Sequence, residues 1–87
     1  MTYRSDAMER VDYVKLTVQT DQGLAGYQYK VNAYEEEGLV ERVEVGKSTL
    51  GEGAMVIVTI RSEGGEGVIV AHPVCLINYY VKRGDYA

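Results

Sequence analysis

Gly53-Ala54-Met55-Val56-Ile57-Val58-Thr59-Ile60-Arg61 is the stretch whose reading decides the fold. Six of its nine residues are apolar and four are β-branched aliphatics, and it is bounded by Gly51-Glu52 before and Ser62-Glu63-Gly64-Gly65 after. That composition and punctuation predict a strand with apolar side chains on both faces, the central strand of the molecule. A strand of this kind needs cover on each side. The rest of the chain offers other strands and no segment of helical period, so the expected fold is all-β.

One core is all that 87 residues can hold, near the lower end of the size at which a domain is stable without staples. Hydrophobic residues make up 46% and charged residues 25% of the chain, which sets aside disorder and a membrane class. The longest apolar run, residues 54–58, is far short of the roughly 20 residues a spanning helix needs. The opening Met1-Thr2-Tyr3-Arg4-Ser5-Asp6-Ala7-Met8-Glu9-Arg10 lacks the apolar centre of a secretory signal. The expected location is therefore cytoplasmic, with a processed extracellular or membrane-anchored form as the alternative. A single cysteine, Cys75, allows no internal disulfide.

Outward from the central stretch, the chain divides into alternating segments. Residues 1–10 are polar and are expected to form a flexible arm. Residues 11–20 alternate, with Val14, Leu16 and Val18 facing one way and Tyr13, Lys15, Thr17 and Gln19 the other. Asp21-Gln22-Gly23 offers turn chemistry, and Gly26 marks a restart. Residues 27–34 read as the second strand, closed by Glu35-Glu36-Glu37-Gly38, whose glycine suits a positive φ. In the third, residues 39–45, Leu39, Val43 and Val45 share a parity that also includes Glu41, which predicts a bulge or an edge position. Residues 46–53 read as a flexible connection and residues 62–67 as a glycine-rich turn. Residues 68–71 make a short strand expected to end at His72-Pro73, because proline donates no ladder bond. Residues 74–82 form the last strand, apolar on both faces, and residues 83–87 a frayed tail. About six strands with frequent turns predict a single domain over residues 11–82: a small antiparallel barrel resembling the oligonucleotide/oligosaccharide-binding (OB) barrel, or a compact two-layer sandwich.

No residue pattern carries recognisable chemistry. Gly46-Lys47-Ser48 resembles the end of a phosphate loop, but position 41 is glutamate rather than glycine and a strand follows instead of a helix. His72 and Cys75 have the spacing of half a metal site. A second His/Cys pair is missing, and residues three apart on a regular strand face opposite ways, so Cys75 reads as a small buried side chain. The Glu35-Glu36-Glu37 turn lacks the convergent geometry of a calcium loop. No serine, histidine and acid trio is suggested. The expectation is a non-enzymatic domain with no catalytic residue, metal or cofactor.

What stands out is eight tyrosines with no phenylalanine or tryptophan. Tyrosine serves either as core filler with a wet margin or as an aromatic contact surface. The candidate interaction residues are Tyr27, Tyr29, Tyr34, Tyr79, Tyr80, Lys82 and Arg83, meeting a protein or peptide partner, a second copy of the chain included. Nine Lys plus Arg against thirteen Asp plus Glu give a net charge of −4. That sign disfavours nucleic acid unless the cations gather on one face. The alternatives are a single-stranded nucleic-acid-binding barrel using Tyr79, Tyr80, Lys82, Arg83 and Lys30, and a thiol-based activity at Cys75.

The segment Tyr27-Gln28-Tyr29-Lys30-Val31-Asn32-Ala33-Tyr34-Glu35-Glu36-Glu37-Gly38, followed by Leu50 and Gly53-Ala54-Met55-Val56-Ile57-Val58, resembles the YxeA-like family of small bacterial proteins. There a Tyr-x-Tyr strand runs into an Ala-Tyr-acidic-x-x-Gly turn, and a later Gly-Ala opens an apolar strand. The resemblance covers roughly residues 13–61. It implies an OB-like barrel, a secreted or anchored setting for many members, no assigned function and no site residues. The missing signal segment and residues 72–83 depart from the family pattern.

Overall fold

The computed structural model of the protein describes residues 8–47 and 53–83. They form six strands: β1 (Met8–Thr20), β2 (Gly23–Lys30), β3 (Tyr34–Glu35), β4 (Gly38–Lys47), β5 (Ala54–Arg61) and β6 (Gly67–Lys82). Every pairing is antiparallel, in the order β2-β1-β6-β5-β4-β3 with β1 also pairing β4. The ring β1-β6-β5-β4 closes on itself, so the barrel is adopted and the sandwich is not. Among the described residues no helix is long and apolar enough to cross a membrane.

The expected central strand is central. β5 lies between β4 and β6, and its Val56, Val58 and Ile60 point inward with no exposed surface. They meet Val14 and Leu16 of β1 and Val40, Val43 and Val45 of β4 in one core cluster. Fully burying an aliphatic side chain is worth roughly 1.5–3 kcal/mol. The exposed ion pairs Arg61–Glu41, Arg42–Glu44 and Lys82–Glu9 are worth about 0–1 kcal/mol each, so the interior holds the ring shut.

β1 closes the ring because it uses one edge twice. Residues 8–11 pair with β4 and residues 13–20 with β2. The exchange occurs at Asp12, the extra residue of a bulge against β6, whose carbonyl accepts the Val31 N–H at 2.9 Å. Bulges bend and twist the strand that carries them. Residues 8–10, expected in a flexible arm, are strand instead, because β4 supplies a ladder for them.

Three further expectations change. The second strand runs over residues 23–30 rather than 27–34, and Gly26 sits inside it opposite Thr17. Residues 31–33 turn the chain: Asn32 takes a left-handed φ of 73° and donates to the Val40 carbonyl at 2.8 Å. Asparagine tolerates that region. β4 continues through Lys47, and residues 48–52 of the expected connection lie outside the described residues. Finally, β6 runs unbroken through Pro73. Its ladder to β5 steps three residues, from Cys75 to His72, where β5 steps two, from Ala54 to Val56. Pro73 thus falls at a bulge, one of the few places in a sheet that tolerates a missing donor.

The bulge expected in the third strand is at Glu41, between the pairs Val40–Ile60 and Arg42–Thr59. It switches the inward parity, so Val40 is buried beside Val43 and Val45 while Leu39 is half-exposed. Gly38 has the positive φ expected of its turn, 143°.

Candidate interaction surface

The strand that carries the most exposed apolar surface is β6. Its bulges at residues 73–74 and at Asn78 keep Ile69, Ala71, Val74, Leu76 and Tyr79 on the outside. Without them strict alternation would place Ile69 and Val74 on opposite faces. The register fixes the outward side: Ile69 is opposite Thr59, Ala71 opposite Ile57, Leu76 opposite Thr17 and Tyr79 opposite Lys15. Ile69, Leu76 and Tyr79 are 60%, 64% and 57% exposed. Residues 67–81 contain no Asp, Glu, Lys or Arg, in a chain that is 25% charged.

The same strand has open main-chain edges. Residues 67–75 pair only with β5, and residues 76–82 only with β1, so each half lacks a strand on its other side among the described residues. Native edges are usually blunted by charge, and this one carries none. A shallow hollow of about 310 Å³ adjoins it, lined by Thr17, Gln19, Leu24, Val74, Cys75 and Leu76.

Inside the mouth of the barrel, β2 and β6 are joined by rings. Tyr27 and Tyr29 are opposite Leu16 and Val14, so both face inward. The Tyr29 hydroxyl and His72 Nε2 share a hydrogen bond of 3.0 Å, and the Tyr27 and His72 rings are 4.9 Å apart. Burial, with Glu37 and Glu35 adding, pushes the Tyr29 phenol up to about 12. Burial lowers the His72 pKa, so this ring is held neutral. A neutral imidazole and a protonated phenol that satisfy each other make a polar seam in the wall. The Tyr29 hydroxyl is no nucleophile.

His72 and Cys75 share the inward face, contrary to the expectation from their spacing, because the bulge at residues 73–74 inserts the extra residue. Cys75 is 5% exposed, its Sγ donates to the Ala54 carbonyl at 3.5 Å, and burial raises its pKa. The thiol is therefore protonated and shielded. Among the described residues no group of three His, Cys, Asp or Glu could hold a metal.

The candidate tyrosines do not form one patch. Tyr29, at 7% exposed, belongs to the core, and Tyr27 lines the mouth. Tyr34 stands 78% exposed beside the glutamate turn, in a hollow with Glu35, Glu36, Glu37, Ser62 and Glu63. Tyr79 points outward against Tyr13, their centroids 5.9 Å apart, whereas Tyr80 is opposite inward Val14. Lys82 pairs with Glu9 at 3.4 Å, and Arg83 is exposed. Ile69, Val74 and Leu76 were not among the candidates. Their signal is the uncharged run, which sequence reading divided into a short strand over residues 68–71 and a last strand over residues 74–82, apolar on both faces.

Comparison with known proteins returns no match: no family model, no curated protein and no solved structure is similar to the chain.

Proposed function

We propose that this barrel is a non-enzymatic interaction module that meets a protein or peptide partner along the outside and open edge of β6. The observation that carries the reading is the coincidence on one strand of exposed Ile69, Val74, Leu76 and Tyr79, main-chain edges unpaired among the described residues, and fifteen consecutive residues without a formal charge. An extended segment laid beside such an edge gains main-chain hydrogen bonds for affinity and alternate side-chain contacts for selectivity. The resemblance to the YxeA-like proteins is part of this proposal; it implies a barrel and offers no competing site.

Selection of a random extended-peptide library on the immobilised protein tests it. Enriched peptides are expected to bind the protein and to lose binding to the Leu76→Asp variant. A library with no enrichment, or peptides that bind the variant equally well, overturns the reading.

One arrangement favours a second reading, a face for single-stranded nucleic acid. On the outer side of β2, β1 and β6, Lys30 is opposite Tyr13, and Lys15 is opposite both Gln28 and Tyr79. Two ammonium groups thus flank two rings, the pairing of charge and stacking that single strands use. Against it stand the net charge of −4, the engagement of Lys82 by Glu9, and Tyr79 and Tyr80 on opposite faces. Titration with single-stranded DNA at low salt, where electrostatics is strongest, removes this reading if no binding occurs.

A further inference from the structure

We infer that the partner of the β6 edge is a second copy of this chain, added antiparallel along residues 68–72 about a twofold axis at Val70. The inference rests on the reading of β6 as the interaction surface and names its occupant.

Charge permits a second copy at this strand. Two copies each carrying −4 repel over most of their surfaces. β6 offers the longest strand along which they can meet with no like charges opposed, since residues 67–81 carry none.

Burial points the same way. Val68 and Val70 face inward opposite Ile60 and Val58, which have no exposed surface, yet both valines are only half-buried. Their main-chain edge away from β5 pairs with no strand among the described residues, and a further strand there would cover them.

Geometry then limits the register to an axis through a residue, and Val70 is the middle of the open run 68–72. A twofold axis normal to the sheet keeps like faces together, so residues opposed across the new ladder must have the same inward or outward sense. Centred on Val70, the ladder sets Ile69 against the partner subunit's Ala71 on the outside, a large side chain against a small one, twice by symmetry. Val68 meets the partner subunit's His72 on the inside. Pro73 falls opposite the partner's Gly67, beyond the end, where its missing N–H costs no bond. The bulge and the proline resemble edge-blunting devices. Here they end the ladder at His72 and leave residues 68–72 open. A ladder this short lies below the size of a standard stable interface, so association in the micromolar range is expected.

Light scattering and sedimentation of the full chain over a wide range of concentration test this inference, with two variants. A concentration-dependent dimer is expected. Ile69→Lys, at an exposed position, should weaken it roughly tenfold or more. Val70→Cys should yield a covalent dimer on mild oxidation and Val68→Cys should not, since only residue 70 faces itself at disulfide distance. A wild-type chain that stays monomeric at every concentration overturns the second copy; the peptide selection then decides independently whether β6 binds anything else. A dimer indifferent to Ile69→Lys and without the Val70→Cys crosslink overturns the edge as its seat.

Discussion

At the scale of single residues, three groups make stability depend on pH: His72 on the acid side and, with the opposite sign, Tyr29 and Cys75, both raised by burial, on the alkaline side. The folded His72 binds its proton below the ordinary value of 6.5. On acidification the unfolded chain therefore takes up that proton first, and stability falls as pH drops through about 6.5 until the folded ring is protonated too. Tyr29 loses its proton near 12 in the fold against an ordinary 10.0, so stability falls again as pH rises through that interval. Denaturant midpoints against pH should show a plateau with both shoulders. His72→Gln should flatten the acid shoulder near neutrality, which belongs to the chain's one histidine, and Tyr29→Phe should leave in the alkaline one only the part due to Cys75, at a cost of about 1 kcal/mol for the lost hydrogen bond. Gly38 is the other sensitive position. It has φ +143°, and a Cβ there would fall on the Arg61 carbonyl oxygen. Gly38→Ala should cost about 3 kcal/mol or more, by strain plus forced backbone movement. Gly64→Ala, with open space around it, should stay within about 0.5 kcal/mol of wild type as measured by urea unfolding. Gly38 was legible from its place after three glutamates. The Tyr29–His72 bond was not, because it joins residues 43 apart and sequence spacing carries no sign of such a contact.

At the scale of elements, the two faces of the β5–β6 ladder should respond oppositely to substitution. Ile60→Ala removes a fully buried side chain and should lower the unfolding free energy by about 2–4 kcal/mol. Ile69→Thr, on the outside of the same ladder, should change that of the monomer by less than about 0.5 kcal/mol, because threonine keeps the β-branch and little is uncovered. Equal losses at both sites in urea unfolding of the dilute protein would contradict the assignment of faces. Strand existence was legible where alternation was clean, as in β1, and where a β-branched apolar run was bounded by glycines, as in β5. Boundaries failed for specific reasons. Asn32 was counted in an apparently alternating run and Pro73 was weighed as a strand end, but Asn32 makes a left-handed turn and Pro73 sits at a bulge that lets the strand continue. The bulge at Glu41 was readable because a charge interrupted an apolar parity. Those on β6 were not, because every neighbour there is uncharged and both parities look alike. For the same reason the sequence did not show which apolar positions of β6 face outward, and attention went to the tyrosines.

At the scale of the whole molecule, the ring closes through one long strand that serves two neighbours on one edge, and β6 is incompletely paired among the described residues. Closure removes edges, and the edges that remain decide what such a domain associates with. Cys75 should report that the ring itself is tight: in the native protein it should react with a thiol reagent only as fast as the barrel opens, and fast labelling would contradict its burial. The central claim, a core organised about β5 with association along β6, is tested most directly by amide hydrogen exchange followed residue by residue at rising protein concentration. The account predicts that amides of residues 54–61 are the slowest at every concentration. It also predicts that those among residues 68–72 pointing away from β5 exchange fast in dilute protein, become protected as concentration rises, and stay fast in Ile69→Lys. Weak protection of β5, or outward β6 amides whose exchange ignores concentration, would contradict it.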